Sequence, residues 1–78
     1  MTIASWLLTF EAGRGVAVRQ ALSSHPDLEC RSEAQTSLVV LSQSPAGGRL
    51  ESVRAILEAA PGVRDAALVT AFEDDGAR

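Results

Sequence analysis

The first ten residues of the chain are mostly apolar, and the next apolar residues recur at the spacing of a helix. Residues 3–10, "IASWLLTF", are mostly apolar and include β-branched and aromatic side chains, which predicts a first strand. Two glycines follow in "EAGRG", and apolar residues from Val18 onward recur at helical spacing. A proline disfavours helical geometry in the residue before it, so this first helix is predicted to end near His25, ahead of Pro26.

Two runs of extended character follow the first helix. Residues 28–34 are short of apolar side chains and predict a weak, polar second strand, whereas "LVVL" at residues 38–41 is the clearest strand pattern in the sequence. Only a short polar connection separates the two runs. They are therefore predicted to pair as a hairpin.

The second half of the chain echoes the first. After the loop "SQSPAGG", an apolar stripe beginning at Leu50 predicts a second helix, "APG" ends it, and residues 63–72 predict a last strand. "VRQALSSHPDLEC" and "VRAILEAAPGVRD" share Val, Arg, Leu and Pro at a shift of 35 residues. Two βαβ-like halves predict an α+β, ferredoxin-like βαββαβ fold, with a four-stranded antiparallel sheet and two helices on one face. Residues 1–73 are expected to form this single domain, and residues 74–78 an acidic, flexible tail.

The strands lack the alternation expected of a sheet that helices cover on one side only. In the first strand the larger side chains, at alternate positions from Trp6 to Phe10, are predicted beneath the helices. In the last strand Val63, Ala66 and Leu68 suit the core if the strand contains a local bulge. The residues predicted to face outward are Ser5, Leu7, Thr9, Val39, Leu41, Ala67 and Val69. Apolar side chains in such positions indicate a surface that a partner covers.

The charge balance bears on the kind of partner. Ten acidic residues outweigh seven basic ones, giving a net charge of −3, and the arginines are scattered along the chain. A nucleic-acid interface needs a concentrated basic face, so nucleic acid is excluded as a partner. Glu29 and Glu33 on the second strand either face solvent or line one rim of the outward surface, where they would favour a basic ligand.

No pattern of catalytic or metal-binding residues emerges. His25 is the only histidine and Cys30 the only cysteine, which is too few for a zinc site or a catalytic triad. The sequence therefore predicts no enzyme, no cofactor and no metal. A lone cysteine, the absence of any apolar run of about 20 residues and a first segment unlike a secretion leader favour a cytoplasmic protein that does not insert into membranes.

Four segments, "ASWLLT", "HPDLEC", "LVVLS" and "PGVRDAALV", together resemble the NapD family, small cytoplasmic chaperones of the periplasmic nitrate reductase. The resemblance covers nearly the whole chain. It consists of a serine before an apolar triplet (Ser5), a proline turn followed by a glutamate (Pro26, Glu29) and a "GV" strand that carries "LV". The chain departs from the family at Thr70 and Ala71, where an aromatic residue and a histidine are expected.

The resemblance implies a chaperone without catalysis of its own. It would bind the twin-arginine signal peptide of the reductase's catalytic subunit and delay export until the molybdenum cofactor is inserted. The peptide is expected to dock as a helix on the uncovered face of the sheet, with carboxylates near its two arginines setting its orientation. The outward set given above, together with Glu29 and Glu33, is the predicted peptide-binding surface.

Three alternatives stay open at the level of sequence. A small-molecule-sensing module of the ACT or AsnC type has the same βαββαβ order and binds amino acids between subunits. A homodimer joined sheet to sheet would also cover the outward apolar residues. Acylphosphatase-like catalysis on the same fold needs an asparagine, and the chain contains none.

Overall fold

The computed structural model describes residues 1–44 and 50–73, and the predicted acidic tail at 74–78 lies outside these ranges. The elements follow the predicted order βαββαβ. They are β1 (Thr2–Phe10), α1 (Gly15–Leu22), β2 (Leu28–Glu33), β3 (Ser37–Ser44), α2 (Leu50–Glu58) and β4 (Val63–Glu73).

The four strands form one antiparallel sheet in the order β2-β3-β1-β4. β1 is central, since it pairs with β3 on one side and β4 on the other. β2 and β3 form the predicted hairpin. This strand order, with two helical crossovers, confirms the ferredoxin-like α+β fold.

Both helices pack on the same face of the sheet and enclose one core. Leu8 of β1, Leu22 of α1 and Leu57 of α2 all belong to this cluster and are fully buried. Trp6 is also buried there, and its indole Nε1–H donates to the Ser42 hydroxyl of β3 at 2.9 Å. The indole thus fills core volume while its polar group is satisfied.

The first helix ends earlier than its sequence suggested, at Leu22 and not near His25. The hydroxyl of Ser23 donates to the Gln20 carbonyl at 2.7 Å, and that of Ser24 donates to the Ala21 carbonyl at 3.0 Å. Serine side chains compete in this way for the last carbonyls of a helix and favour its termination. The predicted end, set by Pro26 alone, was therefore about one turn too late.

The turn after α2 depends on Gly62. This residue has a φ of 92°, a left-handed conformation that other residues adopt at a cost. A Cβ atom there would also lie 2.9 Å from the Cβ of Arg14. The Gly62 carbonyl accepts a hydrogen bond from the Glu11 backbone N–H at 3.1 Å, which places the start of β4 beside the end of β1.

Two register shifts interrupt the pairing of β4 with β1. One shift skips Arg64, so that Val63 and Ala66 both lie on the helix-covered side, opposite Phe10 and Leu8. The local bulge predicted for this strand is therefore confirmed, but Leu68, predicted in the core with these two residues, is 39% exposed although it lies opposite Trp6. The second shift skips Val69, and it changes which later residues of β4 face away from the helices.

Candidate functional site

The sheet has one surface that neither helix covers, which we call the free face. β1 contributes every second residue to it, and Leu7, with 39% of its surface exposed, is flanked by the half-buried Ser5 and Thr9. The intervening residues, Trp6 and Leu8, are buried on the other side. The parity predicted for this strand is confirmed.

Leu7 lies at the centre of the free face. It is opposite Val39 in β3 and Ala67 in β4, so three of the predicted residues form one row across the sheet. Val39 is in turn opposite Ser32 of β2. Side chains opposite one another in neighbouring antiparallel strands share a face and lie within contact distance, so this row is one continuous strip of surface.

A second row lies beside the first. Ser5 is opposite Leu41 of β3 and Thr70 of β4, and Leu41 is opposite Glu29 at the outer strand. Leu41 is half-buried although no helix lies over it. The predicted residues Ser5, Leu41 and Glu29 are thus brought together as neighbours.

Val69 does not occupy the position that the alternation of β4 predicted. It lies at the second bulge, opposite no residue of β1, and 62% of its surface is exposed. Beyond the bulge, Thr70 and Phe72 take the free-face positions opposite Ser5 and Ile3. Phe72, with 56% of its surface exposed, is the largest apolar side chain on this face.

Sequence reasoning missed Ile3 and Phe72 as members of the free face. Ile3 has the same parity as Leu7 in an unbroken strand, so the pattern of β1 alone could have identified it. Phe72 could not be found in this way because its face depends on the bulge at Val69. The apolar part of the free face therefore consists of Ile3, Leu7, Val39, Leu41, Ala67 and Phe72.

Carboxylates lie at both edges of the free face. Glu29 of β2 is opposite Leu41. Its Oε2 accepts a hydrogen bond from Nη1 of Arg31 at 2.9 Å, so the two side chains form an ion pair. Asp65 of β4 lies opposite Thr9 on the same face. Both carboxylates are exposed, so each can meet a cationic group that approaches over the apolar strip.

Glu33 does not belong to this surface. It is opposite the buried Leu38, on the helix-covered side, where its Oε1 lies 2.8 Å from Nε of Arg19 in α1. A register shift between Cys30 and Ser32 inverts the alternation of β2 and moves Glu33 to the other side. Its predicted place on the rim of the free face was wrong.

Cys30 lies on the helix-covered side as well, opposite Val40. Partial burial raises the pKa of the Cys30 thiol above its ordinary value; Arg19 opposes this effect and Glu33 adds to it. The protonated thiol, a weak nucleophile, is therefore the main form at neutral pH. Across residues 1–44 and 50–73, no three histidine, cysteine or carboxylate side chains come together as a metal site would require.

Comparisons with protein-family models, with curated proteins and with solved structures give no match to this chain. Within the described part of the chain, neither helix has the length and apolar character needed to span a membrane. The geometry and charge of the free face are therefore the features from which a function can be inferred.

Proposed function

We propose that the free face binds a twin-arginine signal peptide, and that the protein acts as a maturation chaperone for the catalytic subunit of the periplasmic nitrate reductase. By holding the signal peptide it would delay export until the subunit has received its cofactor. The observation that carries the proposal is a strip of apolar side chains, centred on Leu7, with the carboxylates of Glu29 and Asp65 at its two edges.

The dimensions of the strip suit a single helix. Val39, Leu7 and Ala67 lie on three adjacent strands, and two interstrand spacings span about 10 Å. An α-helix with its side chains is about 10 Å across. Along β1, Ile3 and Leu7 are about 13 Å apart, a length that two to three helical turns cover. An amphipathic helix can therefore lay its apolar side chains along this strip.

Affinity would come from the apolar contact. Each 100 Å² of apolar surface removed from water contributes about 2.5 kcal/mol, and this gain has to exceed the cost of association and of ordering the peptide. Leu7 and Phe72 are the most exposed apolar residues of this face, so burying them contributes most to the binding free energy. A signal peptide presents an apolar stretch of the kind that this surface needs.

The carboxylates would set the direction of the peptide. Ion pairs between exposed groups contribute about 0–1 kcal/mol each, so Glu29 and Asp65 add little to the affinity. Asp65 lies beside Thr9, at one end of the strip, and therefore favours the orientation that brings the two arginines of such a peptide to that end. The net charge of −3 favours the approach of this basic end.

Calorimetric titration with a synthetic twin-arginine signal peptide tests the proposal. The wild-type domain should bind, and Leu7→Asp should abolish measurable binding because it buries an unpaired carboxylate at the centre of the contact. Val16→Asp is the matched control, since Val16 is 57% exposed on α1 and lies away from the free face. Unchanged affinity in a folded Leu7→Asp variant would contradict the proposal, and a response to free amino acids alone would favour a small-molecule sensor.

A further inference from the structure

The two edges of the sheet differ in how they are protected from pairing with another chain. Among the described residues β2 forms one edge and β4 the other. β2 has six residues, three of which are charged, and a register shift interrupts it at Arg31. Charged side chains and bulges are the usual protection of an edge strand. The β2 edge is therefore poorly suited to further pairing.

The β4 edge differs from the β2 edge in its charge, since both edges contain bulges and those of β4 lie at Arg64 and Val69. The strand has eleven residues, and seven consecutive ones, "AALVTAF" at positions 66–72, include no charged residue, no glycine and no proline; its charged residues, Arg64, Asp65 and Glu73, flank this stretch. Leu68, Val69 and Phe72 in this stretch are exposed by 39%, 62% and 56%. An exposed edge of this composition is a template for another strand.

We propose that two copies of the chain pair antiparallel through their β4 edges, around a two-fold axis between Leu68 and Val69. The two sheets would then form one continuous eight-stranded sheet. In this register Ala66 lies opposite the partner's Ala71, and Ala67 lies opposite the partner's Thr70. Small side chains therefore meet on both sides of the axis, with Leu68 and the partner's Val69 at the centre.

The bulge at Val69 is what makes this register work. Directly paired residues of antiparallel strands must share a face, and in a regular strand residues an odd number apart lie on opposite faces. Across the bulge this relation is inverted: Ala66 and Ala71 both lie on the helix-covered side, and Ala67 and Thr70 both lie on the free face. A slip of one residue in either direction would set opposite faces against each other.

Charge complementarity favours the same register. It places Arg64 of each copy opposite the partner's Glu73, so an ion pair forms at each end of the interface, next to the pair of Asp65 with the partner's Phe72 on the free face. Glu73 accepts a hydrogen bond from the Thr2 hydroxyl and lies 3.8 Å from the N-terminal amine. Its side chain is nevertheless 58% exposed and accessible to a second cation.

Pairing through this edge is independent of peptide binding. It leaves the free face of each copy uncovered and places the two free faces side by side on one sheet. A dimer joined sheet to sheet would instead cover Leu7 and compete with the peptide. The two modes of association can therefore be distinguished by the residues on which they depend.

Sedimentation equilibrium on the full chain and two charge-reversed variants tests the proposal. The wild type should dimerise, whereas Arg64→Glu alone and Glu73→Arg alone each place like charges opposite one another at both ends of the interface. Each variant should raise the dimer dissociation constant by about tenfold or more. An equimolar mixture of the two variants should restore the wild-type constant, because both ion pairs then re-form between unlike chains.

The mixture is the decisive arm, since an effect on folding alone would not be reversed by mixing. Thermal melting of each variant by itself checks that it is folded. A wild type that stays monomeric up to millimolar concentration would overturn the proposal. So would a mixture that associates no better than its components, or a dimer that Leu7→Asp dissociates while both charge variants leave it intact.

Discussion

The two faces of the sheet contain similar side chains under very different cover. Leu8 is completely buried beneath the helices, whereas its neighbour Leu7, in the same central strand, is 39% exposed. The apolar character of Leu8 is explained by the core it fills. No such explanation applies to Leu7 or Phe72, because no helix packs over them. Apolar residues beyond what the fold requires are the reason to propose that a partner binds the free face.

The sheet itself gives the free face part of its cover. Val39 and Leu41 are half-buried there. Each has a residue of β1 opposite it, and the two lie next to each other on the same face of β3. Cross-strand pairs of this kind contribute about 0.2–1 kcal/mol each. Substitutions on the free face should therefore cost little stability, so that binding can be altered there without unfolding the domain.

The largest expected effect comes from truncating the two adjacent leucines. Leu8→Ala should lower the free energy of unfolding by about 2–5 kcal/mol, because it removes buried methyl groups and leaves a cavity. Leu7→Ala should cost under about 1 kcal/mol, since much of its side chain is already exposed to water. Urea denaturation followed by circular dichroism measures both. Equal losses would mean that the free face is as important to folding as the core.

Two serines extend the comparison to polar groups. Ser42→Ala should destabilise the domain by about 1–3 kcal/mol, because the Trp6 indole N–H would be left buried without an acceptor. Ser5→Ala, on the free face, should change stability by no more than about 0.5 kcal/mol. The same denaturation experiment applies. A small loss for Ser42→Ala would indicate that water reaches the indole.

Alternation of side chains assigned each predicted residue of β1 and β3 to the correct face, although it left out Ile3, and it assigned those of β2 and β4 only in part. β1 pairs with β3 from Thr2 to Thr9 without a register shift, so its alternation is unbroken. Side-chain size alone placed Leu7 outward and Leu8 inward. β-Strands have a period of two, so an unbroken strand requires only one correct assignment.

Both errors in the predicted site have one physical cause. Glu33 follows a register shift in β2, and the shift at Val69 transfers the free-face positions of β4 to Thr70 and Phe72. A bulge inserts one residue and inverts every later assignment in its strand. Its position depends on backbone pairing with the neighbouring strand, which the pattern of apolar residues does not record. The bulge at Arg64 was predictable only because Val63 and Ala66 are both apolar.

The smallest expected effect tests this corrected assignment of the two glutamates. Glu29→Gln should weaken binding of the twin-arginine peptide about two- to threefold at low salt, because an exposed carboxylate at the rim contributes under about 1 kcal/mol. Glu33→Gln should leave the affinity unchanged, since Glu33 lies on the other side of the sheet and pairs with Arg19. Calorimetric titrations at about 20 and 200 mM salt measure both, and the difference between wild type and Glu29→Gln should shrink at the higher concentration. Equal losses for the two variants would show that net charge, and not the position of a carboxylate beside the apolar strip, attracts the peptide.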